Sequence, residues 1–152
     1  MNFELRLPPV LQLLVAGAAM WGIDRVDSVS ALTLSFAGWL SAALLIMGVA
    51  IALLGVSAFR RASTTVDPRY PGQSTTLVTG GVYHWTRNPM YLGMLLVLLA
   101  WGLYLASGLS FLVVVAFVAY MTRFQIVPEE RFMTQTFGEA YLLYRRSVRR
   151  WF

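Results

Sequence analysis

Thr79-Gly80-Gly81-Val82-Tyr83-His84-Trp85-Thr86-Arg87-Asn88-Pro89-Met90-Tyr91-Leu92-Gly93 sets polar and aromatic side chains against the start of a long apolar run. At such a boundary Arg, Asn, His and Tyr either anchor a helix at a lipid surface or hold a polar ligand there. Pro89 suits the first turn of a helix, where its missing N–H would be unpaired in any case. A membrane span is therefore expected over 90–106. Ser107 and Gly108 then make a tight turn, and a return span over 109–127 completes a helical hairpin with almost nothing exposed between its arms.

Upstream of this stretch, residues 60–89 form a connector punctuated by Pro68, Pro71, Gly72, Gly80 and Gly81, too broken to be one helix. Loops of this length are usually functional or disordered. The 29 residues from Ala31 to Phe59 make about 43 Å of helix against a hydrocarbon core of roughly 30 Å, so this span must tilt, bend or project. Its small residues Ser41, Gly48, Ala52 and Gly55 are read as helix-packing positions. Leu7 to Ile23 is apolar apart from Gln12, and at roughly 25 Å it is read as a short retained helix rather than a signal peptide. Downstream, Pro128 is expected to open a C-terminal segment over 128–152. There Glu129 to Tyr144 reads as an interfacial or cytosolic helix broken near Gly138.

Composition fits this pattern. At 152 residues the chain is expected to be one domain, and 58% hydrophobic with 12% charged residues is far from the balance of a soluble protein. All 12 basic residues are Arg, and the net charge of +5 serves membrane topology better than nucleic-acid binding, because so little of the chain lies outside the bilayer. Arg60, Arg61, Arg69 and Arg87 fall on the same side as Arg145, Arg146, Arg149 and Arg150. The expectation is an all-α integral membrane protein of about four spans, both termini cytoplasmic, with a pocket at the cytoplasmic face.

With no Cys and a single His, thiolate chemistry, disulfides and a protein-ligated metal are not expected. The chain has no Gly-x-Gly-x-x-Gly after a strand, no phosphate-binding loop, no His-Glu-x-x-His and no Gly-x-Ser-x-Gly. What remains is a polar set at the cytoplasmic ends of the third and fourth spans: Arg87, Asn88, Tyr91, Arg123, Glu129 and Glu130. Singly, each has an ordinary reading. Tyr83, Trp85 and Tyr91 could be an aromatic belt, Arg87 a phosphate anchor, the two Glu acids at a helix N-terminus, and the four terminal Arg a lipid-facing cluster.

Their joint order is more specific. Thr76-Leu77-Val78-Thr79-Gly80-Gly81-Val82-Tyr83, Arg87-Asn88-Pro89-Met90-Tyr91-Leu92-Gly93, and Glu129-Glu130 followed by Phe137-Gly138-Glu139-Ala140-Tyr141 and Tyr144 resemble the isoprenylcysteine carboxyl methyltransferase family, within the wider group that includes phospholipid methyltransferases. The resemblance covers about half the chain. It implies a membrane-embedded methyltransferase using S-adenosyl-L-methionine and acting on a lipophilic acceptor, an isoprenylcysteine carboxylate or another lipid. The cofactor-binding positions it implies are Thr75, Thr76, Leu77, Val78, Tyr83, Asn88, Pro89, Met90, Tyr91 and Glu129. Arg87 and Arg123 are expected to carry structural or substrate charge.

The residue chemistry agrees with that implication. A carboxylate such as Glu129 suits the cofactor's ammonium, aromatic faces attract a sulfonium, and Leu77 and Val78 offer adenine an apolar slot. Two departures stand out. Asn88 occupies the His position of the eukaryotic Arg-His-Pro triplet, keeping a donor and an acceptor but no titrating group. Gln125 stands four residues before Glu129, where the family's carboxylate-binding Arg is expected, which favours a neutral or lipid acceptor unless Arg123 substitutes. Two other readings compete: a membrane reductase of similar architecture using NADPH, and a non-enzymatic membrane scaffold.

Overall fold

The computed structural model describes residues 7–26, 37–62 and 76–152. Thr75, the beginning of the second expected span and most of the connector lie outside the described residues. Those residues form helices α1 (Pro9–Val26), α2 (Ala37–Arg61), α3 (Pro89–Leu105), α4 (Ser110–Met121), α5 (Val127–Phe137) and α6 (Glu139–Ser147). A 3-10 turn, Gly81–His84, precedes α3, and a π-turn, Thr122–Ile126, joins α4 to α5. Among the described residues there is no β-sheet.

Among the described residues two helices are long and apolar enough to cross a membrane, Gly38–Arg61 and Ser110–Phe137, while Pro89–Leu105 is apolar but shorter. α2 shows its environment plainly. Trp39, Ile46 and Leu53, seven residues apart and so on one face, are exposed, whereas its buried positions are the small residues Ser41, Gly48 and Gly55. An apolar outer face of this kind belongs against hydrocarbon.

The small residues let α2 and α3 run antiparallel in backbone contact. A Cβ on Gly48 would sit 2.7 Å from the Gly93 carbonyl oxygen, and one on Gly93 would meet the Gly48 carbonyl and Ala52. At one end of the seam Gly55 faces Pro89 and Met90; at the other the Ser41 hydroxyl donates to the Ala100 carbonyl at 2.7 Å. The helix-packing reading of these four positions is what the structure shows.

α3 is the central helix. Its other side packs on α1 and α4 around Met20, Leu95, Leu98, Val114, Phe117, Met121 and Ile126. The Trp101 indole donates to the Gly17 carbonyl at 3.1 Å and the Ser110 hydroxyl to the Met20 carbonyl at 3.3 Å, so α1 is tied at its middle and end. Ala106, in the left-handed region at φ 54°, closes α3 and starts the hairpin turn.

One expectation about the C-terminal third needs correction. Pro128 does not open a separate segment; Ser110 to Phe137 is one 28-residue helix that runs through it. A proline in a helix interior lacks one backbone donor and crowds the carbonyl four residues earlier, here that of Phe124. The π-turn just before Pro128 widens the backbone there and accommodates the ring. The break near Gly138 is as expected: at φ 52°, ψ −127° this glycine occupies a conformation closed to other residues, and the chain turns there into α6.

Candidate functional site

The loop before α3 is built by glycine. Gly81, at φ 62°, turns the chain into the 3-10 helix, which buries Tyr83 while Trp85 stays exposed. The Tyr83 ring meets Phe59 of α2 edge-on with centroids 5.4 Å apart. α6 returns over this loop. Its Tyr144 hydroxyl donates to the Tyr83 carbonyl at 2.6 Å, and the extended tail beyond it lies along Thr86 to Asn88. The Arg87 N–H donates to the Arg149 carbonyl at 3.0 Å; the Asn88 side-chain amide and the Thr86 hydroxyl both donate to the Arg150 carbonyl, at 2.9 and 3.2 Å. Asn88, expected in the cofactor pocket, thus spends its amide N–H on the tail.

Successive residues on a helix point about 100° apart, and Glu129 and Glu130 use that angle to serve two clusters. Glu129 faces α3. Its Oε1 accepts from the Tyr91 hydroxyl at 2.5 Å and from the Gln125 amide at 3.3 Å. Gln125 is fully buried, and its own oxygen accepts a long 3.4 Å bond from Gln12 of α1, whose nitrogen also donates to the Leu7 carbonyl at 2.9 Å. A polar thread therefore crosses the bundle from α1 through the π-turn to α3.

Glu130 faces the loop and the tail. Arg150 grips it with two prongs, Nε to Oε1 at 3.0 Å and Nη2 to Oε2 at 2.8 Å, and Arg87 Nη2 stands 3.2 Å from Oε1. Side chains of Arg87 and Glu130 are each 9% exposed. Hydrogen bonding to Glu130 raises the ionisation of the Arg150 guanidinium further above its ordinary range. Of the terminal Arg read as a lipid-facing group, Arg145, Arg146 and Arg149 are exposed, whereas Arg150 is drawn onto Glu130. Tyr141 and Tyr144 are likewise braces between α6 and the loop.

Burial dominates the tyrosine electrostatics. It pushes the Tyr83 phenol far above its usual value, helped by Tyr144 and then by the charge of Glu129. Tyr144 is raised by burial first and by Tyr141 next. Tyr141 is raised by burial and by Glu130, with Arg87 acting in the opposite direction. All three remain protonated donors at neutral pH.

Of the positions expected to bind cofactor, Tyr83, Tyr91 and Glu129 converge on the junction of loop, α3 and α5, with Asn88, Pro89 and Met90 at the start of α3. Leu77 and Val78 are half-buried upstream of the Gly80-Gly81 turn, and Thr76 is exposed. The two Arg expected to carry structural or substrate charge differ. Arg87 is buried at this junction, whereas Arg123 is exposed with its guanidinium 5.4 Å from the Phe124 ring centroid. Sequence reasoning missed the functions of Glu130 and Arg150 as a clamp and of Gln12 as the end of the polar thread. Gln12, the lone polar residue in the first apolar run, was the available signal. A separate apolar groove of about 570 Å³ lies between α1, α2 and α3, walled by residues such as Leu13, Trp21, Leu45, Leu98 and Trp101. Trp101 is ten residues along α3 from Tyr91, about 15 Å, and the expected cofactor residues take no part in this groove.

A family model for phospholipid methyltransferases matches residues 36–140 of the chain. An uncharacterized protein of Haemophilus influenzae is 45% identical over 62 residues, which is 41% of this chain and 98% of that protein. No solved structure matches.

Proposed function

The chain belongs to the phospholipid methyltransferase family, and on that premise we propose that it transfers a methyl group from S-adenosyl-L-methionine to a lipophilic acceptor reaching the site from the bilayer. We place the chain in the membrane as one methyltransferase-like domain of four spans. α1, α2, α3 and the α4–α5 helix are those spans, both termini are cytoplasmic, and the site lies at the cytoplasmic face. Support for that orientation is the gathering of Arg60, Arg61, Arg87, Arg145, Arg146 and Arg149 at one end of the helices.

The observation that carries this reading is Glu129, a carboxylate held by Tyr91 and Gln125 beside buried Tyr83. This donor set fits S-adenosylmethionine. An oriented carboxylate suits its ammonium, tyrosine faces suit its sulfonium, and Leu77 and Val78 with the Gly80-Gly81 turn suit adenine. Thr75, Thr76, Asn88, Pro89 and Met90 complete the proposed cofactor wall. When bound, the cofactor supplies an electrophilic methyl group on a good leaving group, so the protein has only to align and dehydrate the reactants. Glu129 fixes the cofactor's amino end, Tyr91 and Gln125 fix Glu129, and the tail strapped across Thr86 to Asn88 keeps water from the loop side. Arg87 acts on charge at this junction. Arg123, exposed at the edge of the helix, meets the acceptor at the membrane surface. Gln125 is neutral and already bonded on both sides, which favours an acceptor without a carboxylate at that position.

Glu129→Ala is the test. Calorimetry in uncharged detergent should show S-adenosylmethionine binding to the parent protein and none to the variant, with helical circular dichroism retained in both. Unaltered affinity in the variant would sink this reading.

A further inference from the structure

Arg87 is nine-tenths buried; its Nη2 meets the Glu130 carboxylate and the side chain also hydrogen-bonds the Tyr141 hydroxyl, yet Nε and Nη1 are buried without an acceptor at full hydrogen-bond geometry among the described residues. Buried charged N–H groups without acceptors are costly and rare in native proteins. The charges around them do not balance either. Glu130 is one carboxylate between two guanidinium groups, and Arg150 already occupies both of its oxygens. The other groups beside Arg87 are the phenols of Tyr141 and Tyr144, which are neutral. The cluster therefore holds one uncompensated positive charge and two unused donors on a planar fork, at the loop two residues before α3 begins.

We propose that Arg87 is an oxyanion-binding residue: its Nε and Nη1 receive carboxylate or phosphate oxygens of a ligand seated at the loop–α3 junction. Nε and Nη1 lie on either side of Cδ and share no edge, so each offers a single N–H to a separate oxygen, and the guanidinium charge suits either group. Glu130 and Arg150 are positioning residues that hold the guanidinium through Nη2. Two ligands could bring the oxyanion to this place, the cofactor through its carboxylate or a phospholipid through its phosphodiester. The first of these rests on the function proposed above; the second does not.

Paired ligands separate the sources and distinguish binding from a structural role. The detergent-solubilised parent protein and Arg87→Gln are titrated with S-adenosylmethionine and decarboxylated S-adenosylmethionine, and then with dihexanoylphosphatidylethanolamine and dihexanoylglycerol. Arg150 still neutralises Glu130 in Arg87→Gln, and Arg87→Lys, which keeps the charge, serves if that variant does not fold. In one of the two pairs, the parent should prefer the anion-bearing member and the variant should lose that preference by about tenfold or more, with the other member unaffected. Loss in the first pair assigns the cofactor carboxylate, loss in the second the lipid phosphate. A parent protein that binds neither adenosyl ligand defeats the proposed function, and the lipid pair then decides Arg87 alone. Equal weakening of both members of a pair, or no preference in either, overturns the proposal.

Discussion

The Tyr91 hydroxyl and the Glu129 carboxylate meet at 2.5 Å across 38 residues of sequence, and this bond fastens the first turn of α3 to α5. The same carboxylate oxygen takes the Gln125 amide, so Glu129 is held from two sides before any ligand arrives. Tyr91→Phe removes one of the two while keeping the ring. S-adenosylmethionine affinity should fall several-fold and stability by about 1 kcal/mol, measured by calorimetry and thermal melts in detergent. Wild-type values for both would detach Tyr91 from the site.

Glu130→Ala leaves the buried Arg87 facing Arg150 with no counter-charge. Removing one partner of a buried ion pair costs roughly 3–5 kcal/mol. The tail beyond Val148 should release from Thr86 to Asn88 and become sensitive to limited proteolysis near Arg149 and Arg150. A tail cut no faster than in the parent protein would show that its backbone hydrogen bonds suffice without Glu130.

The α2–α3 seam should tolerate no side chain at Gly93, because a Cβ there would meet the Gly48 carbonyl oxygen at 2.5 Å and the Ala52 Cβ at 2.8 Å. Gly93→Val is expected to destabilise by about 3 kcal/mol, at or beyond the upper end of ordinary overpacking, because the obstacle is backbone. Gly17→Ala, with nothing within 4 Å of the new methyl, is the control and should melt no lower than the parent protein, since alanine is the better helix former inside α1.

Gly138→Ala tests conformation rather than space. No atom lies within 4 Å of the added Cβ, yet φ 52° with ψ −127° is a glycine conformation. A cost of roughly 1–3 kcal/mol follows from the strain, with α6 and its Tyr144 contact loosened. Parallel melts of Gly138→Ala and the parent protein should differ by that amount.

Alkaline pH should destabilise the protein through Tyr83 and Tyr144. Both phenols are raised above the ordinary value of 10.0 in the folded state, so their contribution is fully present below pH 10. Above it the unfolded chain releases these protons and the folded chain does not, so stability falls as pH rises. Melting temperature should drop with a linkage of up to two protons. Tyrosinate absorbance from these two residues should appear only on unfolding. Their ionisation in the intact protein near pH 10 would contradict the burial that raises them.

Glu129 could be singled out from sequence because the family resemblance implies a cofactor-binding carboxylate just after the helical hairpin. What the carboxylate touches could not. Apart from Gln125, four residues before Glu129, the partners of Glu129 and Glu130 lie 38, 43 and 20 residues away, and which glutamate faces which partner depends on helix phase. A single π-turn alters that phase without a distinctive residue pattern. Arg87 illustrates the same limit: as a side chain near the membrane surface it suits a lipid anchor, and only its 3.2 Å approach to Glu130 and its orphaned nitrogens show a buried fork.

By itself the amino-acid sequence determined the apolar helices, the glycine and proline positions that start and stop them, the small residues of the α2–α3 seam and the family. These are local properties: hydrophobic runs, backbone preferences and ordered motifs act within a few residues of one another. Tertiary structure alone decided that Pro128 lies inside a continuous helix, that the tail closes over Thr86 to Asn88, and that Arg150 rather than solvent or lipid satisfies Glu130. The physical reason is that burial sets the strength of each of these contacts. Among groups of equal charge, the partner chosen is the one that packing leaves within hydrogen-bond reach once water has been excluded.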